Sequence, residues 1–165
     1  MTVGIAYRVP GEGCVLVSDG RITCDGEILT DTARKFVICG STAAVLAGTV
    51  GALWGRLQDT PPKSFAALRE AVEASDDDTD WLAYDRKGDH LWLGDVRLTT
   101  PFACIGTGAS TAHGALAMVD SPKSLDEAIK LCKRSVKVVC ARHTTCGGKV
   151  RTIVVRGRSK PIEIG

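Results

Sequence analysis

Met1-Thr2-Val3-Gly4-Ile5-Ala6-Tyr7, continued by Val9-Pro10-Gly11-Glu12-Gly13 and Cys14-Val15-Leu16-Val17, is the stretch from which the fold is read. Residues 2–8 are rich in small and β-type side chains and predict a strand. Pro10-Gly11 is turn chemistry. The unbroken apolar run at 14–17 is short enough for a buried strand. The chain therefore opens as a hairpin, and Ser18-Asp19-Gly20 ends its second strand.

The pattern repeats outward from there. Asp25-Gly26 predicts a second hairpin turn between Ile22-Thr23-Cys24 and Glu27-Ile28-Leu29. Two more strands, Lys35 to Cys39 and Ala43 to Ala47, flank Gly40-Ser41. Helical spacing begins at Thr49, with Val50, Leu53, Trp54 and Leu57 on one face. Pro61-Pro62 ends that helix, and Ser64 caps the next, whose Phe65, Leu68 and Val72 face inward. Asp76-Asp77-Asp78 reads as a solvated loop. Trp81 to Tyr84 and Leu91 to Leu93 pair around Arg86-Lys87-Gly88-Asp89, and Phe102 to Ile105 is a further strand. Gly106-Thr107-Gly108 leads into a small-residue helix over about 110–119. Ser124-Leu125-Asp126-Glu127 is a capping box that opens a helix with Lys130, Lys133, Arg134 and Lys137 on its wet side. Strands over 150–156 and 162–164 close the chain.

Hairpins, then helices, then hairpins, then helices do not fit parallel βαβ alternation. They predict an α+β fold, a four-layer αββα sandwich of two antiparallel sheets with a helix pair outside each. Residues 1–165 are read as one domain, long enough to bury a core.

Composition narrows the function. A net charge of +2 is too small to argue for nucleic acid or a membrane surface, so neither is expected as a partner. No apolar run nears the ~18 residues a membrane span requires. Polar residues begin at Arg8 without a hydrophobic leader, so no secretion signal is expected and a cytoplasmic location is. The seven cysteines, an odd count without paired spacing, are read as reduced and buried. Cys140, His143 and Cys146 at three-residue steps invite a zinc reading. They have no evident fourth ligand, so no metal and no cofactor are expected.

Thr2 is the candidate nucleophile. Removal of Met1 would leave its hydroxyl beside its own free α-amine, which titrates at roughly 7.7–8.0 and can take a proton near neutral pH.

Residues 2–56 and 102–156 resemble the proteasome β-type family of N-terminal nucleophile hydrolases and its simpler bacterial ring-protease relatives. The resemblance rests on Thr2 after Met1, Ser18-Asp19-Gly20-Arg21 followed by Thr23, Arg34-Lys35, Ala47-Gly48, Ile105-Gly106-Thr107-Gly108, and Arg142 followed by Cys146-Gly147-Gly148-Lys149-Val150. It implies a proteasome-like fold and an N-terminal threonine peptidase that hydrolyses peptide bonds through an acyl-enzyme. Thr2 would be nucleophile and proton acceptor, Lys35 would tune it, and Asp19 would hold Lys35 charged. The Gly48 N–H would stabilise the oxyanion, and Thr107 would help hold the Thr2 amine. Thr23 would pair with an extended substrate, while Ile22, Ala33, Val37 and Leu46 would line a pocket favouring an apolar or small side chain. Arg21, His143 and Cys146 would support the site. Self-association into rings, peptide or unfolded-protein substrates and an unfoldase ATPase are the partners it implies.

Two positions depart from the family pattern. His143 stands where active members often carry an acid, and Cys146 where they carry a serine before Gly-Gly. These departures, and a retained Met1, would favour an alternative, an inactive structural or assembly subunit of the same fold. A second alternative, separable only by a substrate assay, is an N-terminal nucleophile amidase acting on a small amide. The middle of the chain, 57–101, carries no family motif.

Overall fold

The computed structural model describes residues 2–49, 51–157 and 159–164. The first half runs β1 (Gly4–Val9), β2 (Gly13–Ser18), β3 (Ile22–Cys24), β4 (Glu27–Thr30), β5 (Phe36–Cys39), β6 (Thr42–Gly48), α1 (Ala52–Asp59) and α2 (Phe65–Glu73). The second runs β7 (Thr79–Asp85), β8 (His90–Leu93), β9 (Val96–Leu98), β10 (Phe102–Ile105), α3 (Ala109–Ala117), α4 (Leu125–Arg142), β11 (Arg151–Arg156) and β12 (Ile162–Ile164).

The expected four-layer sandwich of two antiparallel sheets is overturned. The strands form three antiparallel sheets, of five strands (β10-β1-β2-β11-β12), two strands (β3-β4) and five strands (β5-β6-β7-β8-β9). Strand outweighs helix, 36% to 27%, so the protein is mostly β. The physical cause is the β3-β4 hairpin. Ile28 and Leu29 on it are 52% and 65% exposed, so its side chains join no core and the hairpin stands as a sheet of its own. Its tip is the predicted Asp-Gly turn, with φ of +50° at Asp25 and +86° at Gly26.

Strand alternation sorts the core. Ile5, Tyr7, Val15 and Val17 pack with α3 and α4 residues such as Leu116, Cys132 and Val136. Their neighbours Ala6, Cys14 and Leu16 turn the other way, to meet Val45, Ala47, Leu82 and Tyr84 from the second large sheet. Ala44, Leu46, Trp81 and Ala83, one residue out of step, pack with Leu53, Leu57 and Leu68 of α1 and α2. Strands buried on both faces read as unbroken apolar runs, which is why β2 and β6 carry them.

Smaller differences have local causes. Helix α1 begins at Ala52 rather than Thr49, and Val50, assigned to its inner face, lies outside the described residues. Strand β9 was not expected from the sequence. Ser124 Oγ accepts from the Glu127 N–H at 3.2 Å as a capping box requires, but the Glu127 carboxylate takes the N–H of Lys123 at 2.7 Å. No helix is long and apolar enough to cross a membrane among the described residues. All seven cysteines are free; against the expectation of burial, Cys24 is exposed at the end of β3 and Cys104 and Cys140 are only partly buried.

Candidate functional site

The ends of all three sheets meet at one cleft of about 620 Å³. Thr2 enters it from just before β1, Ile22, Thr23 and Leu29 from the small hairpin, Gly48 from the end of β6, and Gly106-Thr107 from the end of β10. The sequence places these residues far apart, and the antiparallel registers Gly4↔Ile105 and Gly4↔Ser18 bring their segments side by side.

Thr2 is 5% exposed, and its carbonyl accepts from the Gly108 N–H at 3.4 Å. The turn at Gly106 requires glycine. Its φ is +83°, and a Cβ there would stand 2.1 Å from the Thr2 carbonyl oxygen.

Beneath Thr2 sits a buried polar hub. Asp19 is 0% exposed and its carboxylate takes three donors. Oδ1 accepts from the Val3 N–H at 3.0 Å and from Lys35 Nζ at 2.8 Å. Oδ2 accepts from the Gly147 N–H at 3.0 Å. Lys35 is 2% exposed and also donates to the Arg21 carbonyl at 2.6 Å. Burial drives the Lys35 pKa below the ordinary lysine value, and the Asp19 charge opposes that drive. One carboxylate oxygen thus joins the lysine to the backbone immediately after Thr2.

Arg21 braces the same corner from outside. It makes a two-pronged contact with Asp31 at 2.7 and 3.1 Å and donates to the Thr144 carbonyl at 2.8 Å. Gly147 lies against this guanidinium, where a Cβ would come within 2.7 Å of Cζ.

The remaining expected residues divide. Thr107 reaches the cleft, with Oγ1 4.0 Å from Cys146 Sγ. Burial and the nearby Asp19 carboxylate raise the Cys146 pKa, so its thiol stays protonated near neutral pH. His143 does not face Thr2 through a hydrogen bond; its Nε2 meets Thr111 Oγ1 at 2.8 Å. Ile22 and Thr23 line the cleft, while Ala33, Val37 and Leu46 do not. Val37 and Leu46 lie in the core against α1 and α2, and the Ala33 N–H is taken by the Gly20 carbonyl at 2.9 Å. Met1 lies outside the described residues.

Sequence reasoning missed Asp31, Gly147, Asp78 and Asp80. The last two line the cleft. Gly147 stood within a quoted motif, but nothing in the sequence pointed to Asp31 as the partner of Arg21. Among the described residues no three His, Cys, Asp or Glu side chains gather as a metal site.

The chain matches no family model and no curated protein.

Proposed function

We propose that the protein is a threonine-type peptidase whose nucleophile is Thr2, freed by cutting the Met1–Thr2 bond. The observation that carries this reading is the shared oxygen of Asp19, which ties the buried Lys35 ammonium to the Val3 amide next to Thr2. A buried lysine is costly even when paired, and this one is held by Asp19 one residue from Thr2, which lines the cleft, so a functional role for its charge is the reading it supports.

In the proposed reaction the freed α-amine of Thr2 takes the hydroxyl proton through a water molecule, and Oγ1 attacks the peptide carbonyl. The Lys35 charge keeps that amine neutral and able to accept the proton. The oxyanion forms against the Gly48 N–H. Collapse expels the substrate amine, which carries away the proton, and leaves an ester on Thr2. Water then hydrolyses the ester by the same route. The chemistry draws on no cofactor. Rings of copies enclosing the cleft, an unfoldase ATPase feeding them and a cytoplasmic setting belong to the same proposal.

A second reading, an inactive subunit of an assembly, draws support from His143, which is engaged by Thr111 rather than by the site. Intact mass and labelling separate the two. The peptidase reading expects a mass short by one methionine and time-dependent labelling of Thr2 by an electrophile selective for N-terminal threonine. A retained methionine with no labelling favours the inactive subunit.

A further inference from the structure

The cleft beside Thr2 is charged. Asp78 and Asp80 line it, and among the described residues no lysine or arginine does. Strand periodicity explains the placement. Leu82 and Tyr84 of β7 point between the two large sheets. Asp80, two residues earlier, keeps that parity and emerges where the sheets part. It stands opposite Ala47 in the register, and Ala47 Cβ is the side-chain atom nearest a Cβ built on Gly106, at 3.3 Å. Asp78 holds the same parity one residue before the strand, and its carbonyl accepts from the Thr49 N–H at 3.0 Å.

Neither carboxylate makes a side-chain hydrogen bond or ion pair among the described residues. The middle residue of the triplet behaves differently, since Asp77 Oδ2 accepts from the Leu53 N–H at 3.0 Å and serves α1. Two cations of the adjoining hub are already paired. Lys35 is buried on Asp19, and Arg21 is clamped to Asp31. The cleft therefore keeps its two negative charges for whatever enters.

We propose that the cleft selects peptides carrying an arginine or lysine side chain, seated against Asp78 and Asp80 beside Thr2. This rests on the peptidase reading and replaces the apolar or small preference expected from Ile22, Ala33, Val37 and Leu46, of which only Ile22 lines the cleft. The open wall at Ile22 and Leu29 offers apolar surface for the side-chain stem, as long cationic side chains prefer.

The test uses peptide substrates identical except at one position, bearing arginine, its neutral isostere citrulline, leucine or glutamate. The expected result is a kcat/KM for arginine about tenfold above citrulline at low salt, with glutamate poorest, and a ratio that shrinks as salt is raised. In the Asp78→Asn/Asp80→Asn protein the arginine-to-citrulline ratio should fall to about one. Equal turnover of arginine and citrulline peptides in the wild type, or a ratio untouched by the double substitution, overturns the proposal. Calorimetric binding of the arginine and citrulline peptides to the Thr2→Ala protein gives the same comparison without turnover. Equal affinities there also overturn it. Absent turnover and absent Thr2 labelling, with arginine still bound preferentially, would instead remove the peptidase reading and leave the cationic site.

Discussion

Lys35 Nζ lies 2.8 Å from Asp19 Oδ1, and the two side chains are 2% and 0% exposed. The pair is asymmetric in what each partner holds. Asp19 receives two backbone amides besides the lysine, whereas Lys35 has one carbonyl besides the carboxylate. Asp19→Ala strands two buried N–H groups and an ammonium, so it should cost about 3–5 kcal/mol. Lys35→Met leaves Asp19 with both amides and fills the space, so about 1–3 kcal/mol is expected. Urea unfolding of both variants checks the order, and a Lys35→Met loss equal to that of Asp19→Ala would contradict it. On the peptidase proposal Lys35→Met should fold yet leave Thr2 unlabelled, and normal labelling would remove the lysine from that proposed chemistry.

Two glycines with nearly the same backbone angle separate strain from contact. Gly106 has φ +83° and would place a Cβ 2.1 Å from the Thr2 carbonyl oxygen. Gly11 has φ +79° with nothing within 4 Å. Gly11→Ala carries only the left-handed penalty, about 1 kcal/mol. Gly106→Ala adds a clash of the new methyl group with the Thr2 carbonyl, for a total of about 3 kcal/mol or more, and displaces Thr2. Thermal unfolding of the two variants measures the gap, and equal losses would mean that Thr2 can yield.

The sequence made the hairpins legible because their turns are chemically explicit, as Asp25-Gly26 illustrates with both residues at positive φ. It did not reveal that β3 and β4 pair only with each other, since exposure of Ile28 and Leu29 is a property of the assembled chain. Strand β9 escaped because three residues, two of them exposed, give no period to detect. The hub was legible where it rests on charged residues at strand ends, Asp19 and Lys35. The cleft wall was not, because facing depends on register and a slip of one residue reverses it. Phe36 turns between the sheets while Val37 turns toward α1 and α2, away from the pocket that the family resemblance implies for it. Asp78 reads as a plain loop acid and Asp80 carries no motif in the sequence; only the β7 register gives Asp80 its facing.

The buried thiols set an alkaline limit on stability. Burial raises the pKa of Cys14, Cys39, Cys104, Cys132, Cys140 and Cys146 above their ordinary value. Cys39, 1% exposed, moves from 9.0 to about 12. Cys104 is likewise pushed up to about 12 and Cys140 to about 11. An unfolded thiol ionises near 9.0, while its folded counterpart keeps the proton. The unfolded chain therefore binds fewer protons between those values, and stability falls as pH rises, by about 1.4 kcal/mol per pH unit for each fully buried thiol. This contribution is intact below 9.0 and is lost as pH climbs through the folded values. Lys35 acts in the opposite sense, because its depressed pKa relieves the folded state as it loses its proton, but it is one group against six. Urea midpoints at pH 8, 9 and 10 under reducing conditions should drop with increasing steepness. Cys39→Ala should start from a lower midpoint, since it leaves a small cavity, yet lose less across that interval. Parallel curves for the two proteins would show that Cys39 ionises as readily folded as unfolded.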